Sequence, residues 1–385
     1  MVHLIVKVVF YLSIIEITYA YLGYPLSLWF LSKLRGHHKE AKKNIYGNNY
    51  PDVSFIIAAY NEANKIEEKI RNTLSLEYDR DKLEIIIASD CSTDGTDDIV
   101  KSYADEGISL VRTAERRGKE NAQKVALRHV RGKILVFSDT GTMLQPDAIK
   151  NMVSNFADPS VGCVSSIDKF IDPDGCLSGE GAYVRYEMFL RKLESKVNTL
   201  VGLSGSFFSA RREVCENWAT DLQSDFNTLL NSVKCGMRGV LDPQSVGFYR
   251  NIADPKKEFD RKVRTIVRGI TVFMNNLALL NVFRYGLFSW QFFSHKLCRW
   301  LVPVFLILLF VSNLIIYQES LGYALSFVSQ ILFYGVAIMG LLYGKQSMTW
   351  IRIPVFFVQV NASVLAAWIN YLRGQRVAFW EPSQR

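Results

Sequence analysis

The chain has 385 residues, a formal net charge of +8, 49% hydrophobic residues and 13% aromatic residues. That length accommodates one α/β domain and more, and the apolar residues gather at the two ends while the middle keeps the mixed composition of a soluble domain. The positive charge suits a cytoplasmic membrane surface or an anionic substrate; without a nucleic-acid motif or basic tail it does not argue for nucleic acid, and six scattered cysteines lacking CxxC or Cys/His spacing argue against a zinc module or a disulfide scaffold.

In chain order, Phe10–Leu31 is apolar enough to cross a bilayer, which takes about 20 residues. Lys33, Arg35, Lys39, Lys42 and Lys43 follow it. Positive charge marks the cytoplasmic flank, so the N-terminus is expected outside and the middle of the chain inside. The length of the run and the poor small-residue site near Pro25 favour an anchor over a cleaved signal peptide. Glu16 lies within it, and no site is assigned to it.

Ser54–Ala59 reads as a buried strand, ended by the polar turn Tyr60-Asn61-Glu62. From Lys65 to Leu76, Ile66, Ile70, Thr73 and Leu74 share one helical stripe, with charged residues opposite. Leu83–Ala88 is a second apolar run, followed by Ser89-Asp90-Cys91-Ser92-Thr93-Asp94-Gly95-Thr96. Two buried strands joined through a helix predict a right-handed βαβ unit in a parallel sheet. Ligands of such sheets bind at the carboxyl ends of the strands, where both polar loops are expected.

The pattern recurs. Leu110-Val111-Arg112 leads into Glu115-Arg116-Arg117-Gly118-Lys119 and a helix over Glu120–Val130. The strand Ile134–Phe137 then empties into Ser138-Asp139-Thr140-Gly141-Thr142. Acids and glycines at strand ends are ordinary turn chemistry when single; their repetition along one edge points to a site. Further on come a strand over Val161–Ile167, a helix over Tyr183–Val197 and the stretch Gly202–Ser209, closed by Arg211-Arg212. A helix from the Asp221–Phe226 segment to Gly236 and a short strand over Gly239–Asp242 complete the domain.

Phe259–Leu280 predicts an amphipathic helix, apolar through Phe259, Val263, Ile266, Ile270 and Phe273 and basic through Arg261, Arg264 and Arg268, suited to a bilayer surface. Trp300–Tyr317, Ala324–Tyr343 and Ile353–Leu372 are three further candidate spans. The charges between them conflict with a simple inside–outside alternation, which leaves the number of crossings open. The expected division is an anchor (1–32), a cytoplasmic α/β domain (50–250), interfacial helices (256–296), a C-terminal membrane region (297–373) and a polar tail (374–385). Together these make a multi-pass integral protein of the inner or plasma membrane.

Taken together, Ala59-Tyr60-Asn61-Glu62, Asp90-x-Ser92-Thr93-Asp94-Gly95-Thr96, Arg117-Gly118-Lys119, Ser138-Asp139, Gly205 to Arg212, Ser224-Asp225 and Arg261-x-x-Arg264 resemble the family-two glycosyltransferases of GT-A fold. More closely, they are similar to the membrane synthases related to cellulose, chitin, hyaluronan and poly-N-acetylglucosamine synthases. The resemblance implies an α/β fold, Rossmann-like with a mostly parallel sheet and flanking helices. It also implies an inverting hexosyl transfer from a nucleotide-diphosphate sugar, with UDP-sugars favoured, to a polysaccharide or lipid-linked acceptor in exopolysaccharide synthesis. The expected partners are that donor and acceptor, the lipid bilayer and an export or synthase protein, with no nucleic acid.

The resemblance also implies residue roles. Ala59, Tyr60, Glu62, Asp90 and Ser138 belong to the donor-binding loops, with Tyr60 and Glu62 flanking the nucleoside and Asp90 accepting hydrogen bonds from base or ribose. Lys119 offers a point charge to the diphosphate, as do Arg261 and Arg264. Asp139 matches the first acid of an Asp-x-Asp that holds Mg²⁺ or Mn²⁺, and Asp225 matches the base that deprotonates the acceptor hydroxyl. Three positions depart from the pattern. Gly141 replaces the second metal-binding acid, Ser224 the acid before the base, and Thr265 the tryptophan that stacks on the acceptor sugar of processive enzymes. The loss at Gly141 also admits another class, a sugar-nucleotide-binding membrane protein that regulates or scaffolds a synthase without catalysis.

Overall fold

The computed structural model of the chain describes residues 1–35, 46–47, 49–171, 182–250, 255–343 and 349–376. The polar tail over 377–385, and Lys39, Lys42 and Lys43 behind the first apolar run, lie outside the described residues.

Among the described residues eight strands form one mixed sheet: β1 (Val53–Ala59), β2 (Leu83–Ser89), β3 (Ile108–Arg112), β4 (Ile134–Asp139), β5 (Met143–Leu144), β6 (Val161–Ile171), β7 (Phe207–Arg211) and β8 (Arg238–Arg250), in the order β3-β2-β1-β4-β7-β6-β8-β5. The first four are parallel, as the repeated strand–helix pattern predicts. Strand β7 enters antiparallel to β4, β6 pairs antiparallel with β7, and β8 runs parallel to β6. This is the GT-A architecture. The sheet is buried on both faces. Phe55, Ile57, Ile85 and Val136 pack on one side with Ile66, Ile70 and Met152. On the other, Ile56, Ile86, Leu135 and Phe137 pack with Ala122, Phe208 and Trp218. Alternation along each strand sends successive side chains to opposite layers, which is why continuous apolar runs sit here.

Strand β8 differs from expectation. β8 spans 13 residues rather than the four read at Gly239–Asp242, because Pro243, Gln244 and Ser245 are tolerated at the register irregularities of its pairing with β6. In the stretch from Gly202 only Phe207 onward is strand; Val201–Ser206 is a loop that approaches the site.

By its internal packing the chain divides into two units. The sheet lies in the one made of Leu28–Ala253 and Thr271–Phe288; the other comprises Met1–Ser27, Asp254–Ile270 and Ser289–Arg376. Among the described residues four helices are long and apolar enough to cross a membrane: Val2–Leu34, Leu287–Ile316, Leu321–Leu342 and Trp350–Leu372. The 22 residues of the third extend about 33 Å, against a hydrocarbon core of about 30 Å. The second begins well before Trp300 because Lys296 and Arg299 interrupt its hydropathy without interrupting its helix. Within the helical unit Glu319 pairs with Lys7 and His3, each at 2.6 Å, and Trp368 Nε1 donates to the Trp300 carbonyl at 2.9 Å.

Candidate active site

The order β3-β2-β1-β4 reverses direction at β1, and the carboxyl ends on either side of such a point form a crevice. Ala58 is in register with both Ala88 and Asp139, so the loops after β1, β2 and β4 leave the sheet at one level. The first two loops are tied together. Asn61 (φ 51°) accepts from the Thr93 N–H at 2.8 Å, its own N–H reaches Ser92 Oγ at 3.1 Å, and the Ala63 N–H donates to Asp94 Oδ2 at 3.0 Å. The Asp-x-Ser-Thr-Asp-Gly-Thr motif thus stabilises the turn at Tyr60 as well as its own.

Asp90 is 3% exposed, and its carboxylate accepts the N–H groups of Arg117 (3.0 Å) and Gly118 (2.7 Å). Its backbone N–H donates to the Ala59 carbonyl at 2.9 Å. In this structure Asp90 therefore shapes the loop before Lys119, a part that its expected contact with base or ribose does not describe. Gly118 holds φ +94°, a backbone that L side chains rarely adopt, and it starts the helix Lys119–Ala126. Trp218 stacks on Phe137 at 4.9 Å and donates from Nε1 to the Glu120 carbonyl at 3.0 Å, which holds the start of that helix against the sheet. Tyr60 lies under the Arg116 guanidinium, 4.0 Å from its ring centre, an aromatic–cation contact of the kind that also suits a planar base.

Lys119 points to the end of β4, where its ammonium pairs with the Asp139 carboxylate and donates to the Gly205 carbonyl at 2.9 Å. Asp139 is further tied by its N–H to the Ser206 carbonyl at 3.0 Å. On the other side of Gly205 stands Asp225: a β-carbon on Gly205 would lie 3.5 Å from the Asp225 Cγ and Oδ2. Asp225 is 8% exposed, accepts from Gln223 Nε2 at 3.2 Å, and occupies the first turn of the helix Ser224–Lys234, where the helix dipole favours a carboxylate. So Lys119, Asp139 and Asp225, far apart in sequence, meet around one glycine.

Two further acids share the region. Burial pushes the Glu62 carboxyl above its ordinary range, with Lys65 opposing and the Asp139 charge adding to the rise. Burial likewise raises the Asp168 carboxyl, against hydrogen bonds from the Ser204 hydroxyl (2.6 Å to Oδ2) and the Ser206 hydroxyl (2.5 Å), and Asp139 again adds to it. Asp168 went unpredicted: it lies on β6 without a motif around it, and only its hold on the two serines flanking Gly205 gives it a place here.

Ser138, expected among the donor residues, is 1% exposed and faces away from Asp139, as neighbours on a strand do. Its hydroxyl accepts from Lys69 Nζ at 3.0 Å. Lys69 is fully buried, and burial pushes its ammonium down to about 7 with the Asp139 charge opposing. It departs from the helical pattern that sets charged residues opposite the Ile66, Ile70, Thr73 and Leu74 stripe. The spacing Ile66–Lys69–Thr73 was the available signal, since it sets Lys69 on the buried stripe. Arg261 and Arg264 lie on the helix Pro255–Met274, in the stretch belonging to the helical unit. There Arg261 makes two bonds of 2.8 Å to Glu258.

A carboxylate oxygen donor fits Mg²⁺ or Mn²⁺, and the Asp139 charge reaches both Glu62 and Asp168, where it adds a smaller part to a rise that burial chiefly causes. Among the described residues no three His, Cys, Asp or Glu side chains gather as a complete ligand set. At Gly141 a β-carbon would meet nothing within 4 Å, so the missing second acid reflects sequence and not space.

The glycosyl transferase family 2 model matches residues 54–218. The chain is 28% identical over 189 residues to poly-β-1,6-N-acetyl-D-glucosamine synthase of Staphylococcus aureus, covering 47% of this chain and 45% of the relative. It is 24% identical over 219 residues to succinoglycan biosynthesis protein ExoO of Rhizobium meliloti, covering 53% and 62%. The chain thus spans about half the length of the curated relatives it matches. Among solved structures, the mannosyltransferase PcManGT from Pyrobaculum calidifontis, in complex with GDP-Man and Mn²⁺, has a TM-score of 0.73 at 24% identity, covering 94% of this chain and 98% of that one. Motifs, sheet order and these similarities agree: residues 54–218 are similar to glycosyl transferase family 2, and the chain shares the GT-A fold of that mannosyltransferase.

Proposed function

We propose that this protein is a membrane-bound inverting glycosyltransferase whose cytoplasmic domain moves a sugar from a nucleotide-diphosphate donor to a polysaccharide or lipid-linked acceptor. The observation that carries the reading is the meeting of Lys119, Asp139 and Asp225 around Gly205. Asp225 takes the proton of the acceptor hydroxyl, and that oxygen bonds to the anomeric carbon from the face opposite the leaving group. The bond from the anomeric carbon to the diphosphate oxygen breaks, its electron pair stays with the nucleoside diphosphate, and the configuration inverts. The Lys119 ammonium, a compact charge already directed to this edge, stabilises the negative charge that develops there. Asp139 would hold Mg²⁺ or Mn²⁺, which would supply further charge neutralisation. Tyr60, Glu62 and the loop shaped by Asp90 are assigned to the nucleoside; Arg261 and Arg264 are assigned to the phosphates.

Surface polysaccharide synthesis is supported by the names of the two curated relatives. The membrane setting is supported by the four apolar helices and by the lysine and arginine following the first. UDP-sugars remain the favoured donors, and GDP-mannose enters as the rival because the solved neighbour of the same fold holds it.

The test uses the full chain in detergent or nanodiscs with radiolabelled UDP- and GDP-sugars, separating lipid-soluble from polymeric product. Transfer by the native chain and a loss of about 10²-fold or more in Asp225→Asn, with donor affinity kept, are expected. Undiminished turnover in that variant would remove Asp225 from the chemistry. Donor binding by the native chain without transfer to any acceptor would favour a binding and regulatory role, which Gly141 motivates.

A further inference from the structure

Lys69 is the most deeply buried charged side chain facing the donor edge, and the mechanism above does not use it. It projects from the helix Ala63–Leu74 beneath the turn that carries Asp139 and Gly141. It is 0% exposed, crosses the Phe55 ring at 5.4 Å, and donates to the Ser138 hydroxyl at 3.0 Å and to the Thr142 carbonyl. The Thr142 N–H returns to the Asp139 carbonyl at 3.2 Å, closing the turn. Three residues after Lys69, Asn72 clasps the main chain of Leu144 with both ends of its amide, each at 2.9 Å. One helix therefore holds both sides of the turn.

An isolated amine is a costly choice for this position. A lysine in an apolar layer loses its hydration and most of its rotamer freedom, and a methionine would fill similar space without either loss. What methionine cannot do is bind the two ends of a tight turn at once. We propose that Lys69 is a positioning residue for the diphosphate end of the donor site: it keeps the Ser138–Thr142 turn in the shape that presents Asp139, and acts on the donor only through that turn. The inference rests on the reading of this edge as a sugar-nucleotide site.

The experiment compares Lys69→Met and Lys69→Gln with the native full chain by calorimetry, using UDP, UMP, GDP and GMP, each with and without Mn²⁺, alongside Mn²⁺ titration followed by electron paramagnetic resonance. For whichever base the native chain binds, Lys69→Met is expected to weaken the diphosphate at least tenfold and the monophosphate less than twofold. Protein-bound Mn²⁺ should fall in parallel, and Lys69→Gln should recover part of the loss. Equal losses for mono- and diphosphate, native affinities throughout, or failure of both variants to fold would overturn it. The last two would leave Lys69 a filler or a fold residue. A native chain that binds none of the four nucleotides would instead refute the glycosyltransferase reading, whatever Lys69 does.

Discussion

Gly205 and Asp225 stand so close that a β-carbon on the glycine would lie 3.5 Å from the carboxylate. The same glycine accepts from Lys119 through its carbonyl at 2.9 Å. It is thus the hinge between the group assigned to the acceptor hydroxyl and the group assigned to the leaving diphosphate. An added methyl makes ordinary contact there and not a clash, so Gly205→Ala is expected to fold with an unchanged melting temperature. Seated beside the carboxylate, the methyl should hinder the approach of the acceptor hydroxyl and lower kcat about tenfold or more, with KM for the donor little changed. Steady-state kinetics with both substrates varied checks this; an unchanged kcat would contradict it.

Gly141→Asp should restore a second carboxylate at no steric cost, since the added β-carbon meets no atom within 4 Å. Tighter Mn²⁺ binding in a direct titration is the expected outcome. Equal Mn²⁺ affinity in both proteins would mean that the turn does not face a cation.

Replacing Lys119 with methionine leaves the partly buried Asp139 carboxylate without its ammonium and the Gly205 carbonyl without this donor. A stability loss of about 1–3 kcal/mol is expected from the unmet groups, measured by thermal or chemical unfolding. Weaker binding of nucleoside diphosphate than of nucleoside monophosphate should accompany it. A variant with native diphosphate affinity would place Lys119 in the fold alone.

Asp168 supplies a pH test. Its folded-state carboxyl is raised above the usual range by burial, so the native state holds its proton to higher pH than the unfolded chain does. Stability is therefore favoured below the ordinary carboxylate value and declines as pH rises through the raised one, where the buried group must ionise. Asp168→Asn should abolish that segment of the stability–pH curve. It should also loosen the loop at Gly205, because one amide oxygen replaces the two carboxylate oxygens that take the Ser204 and Ser206 hydroxyls. Superimposable curves for the two proteins would refute the assignment.

Much of this molecule is legible in one dimension. The apolar runs ending in Tyr60, Asp90 and Asp139 could be placed as parallel strands with loops at one edge, because strand period and buried runs are local properties. The apolar ends could be read as membrane helices by length alone. Lys69 could not be recognised by composition, since a lysine among charged neighbours resembles a solvated face until the turn it reaches is in view. Nor could Asp168: what matters about it is a pair of serines 36 and 38 positions away. The short reading of β8 failed for a related reason, because its polar residues are carried by pairing with β6 and not by their own propensity.

The order of residues determined the helix and strand periods, the motif loops and the identities of Asp139, Gly141 and Asp225. Which of these share a site was decided only when β7 entered antiparallel beside β4. That pairing carries Ser206 to Asp139, Gly205 to Lys119, and the following helix to Gly205. Contacts across 86 residues, like that of Lys119 with Gly205, depend on closing a long loop against its entropy, and only the packed sheet supplies the compensating burial.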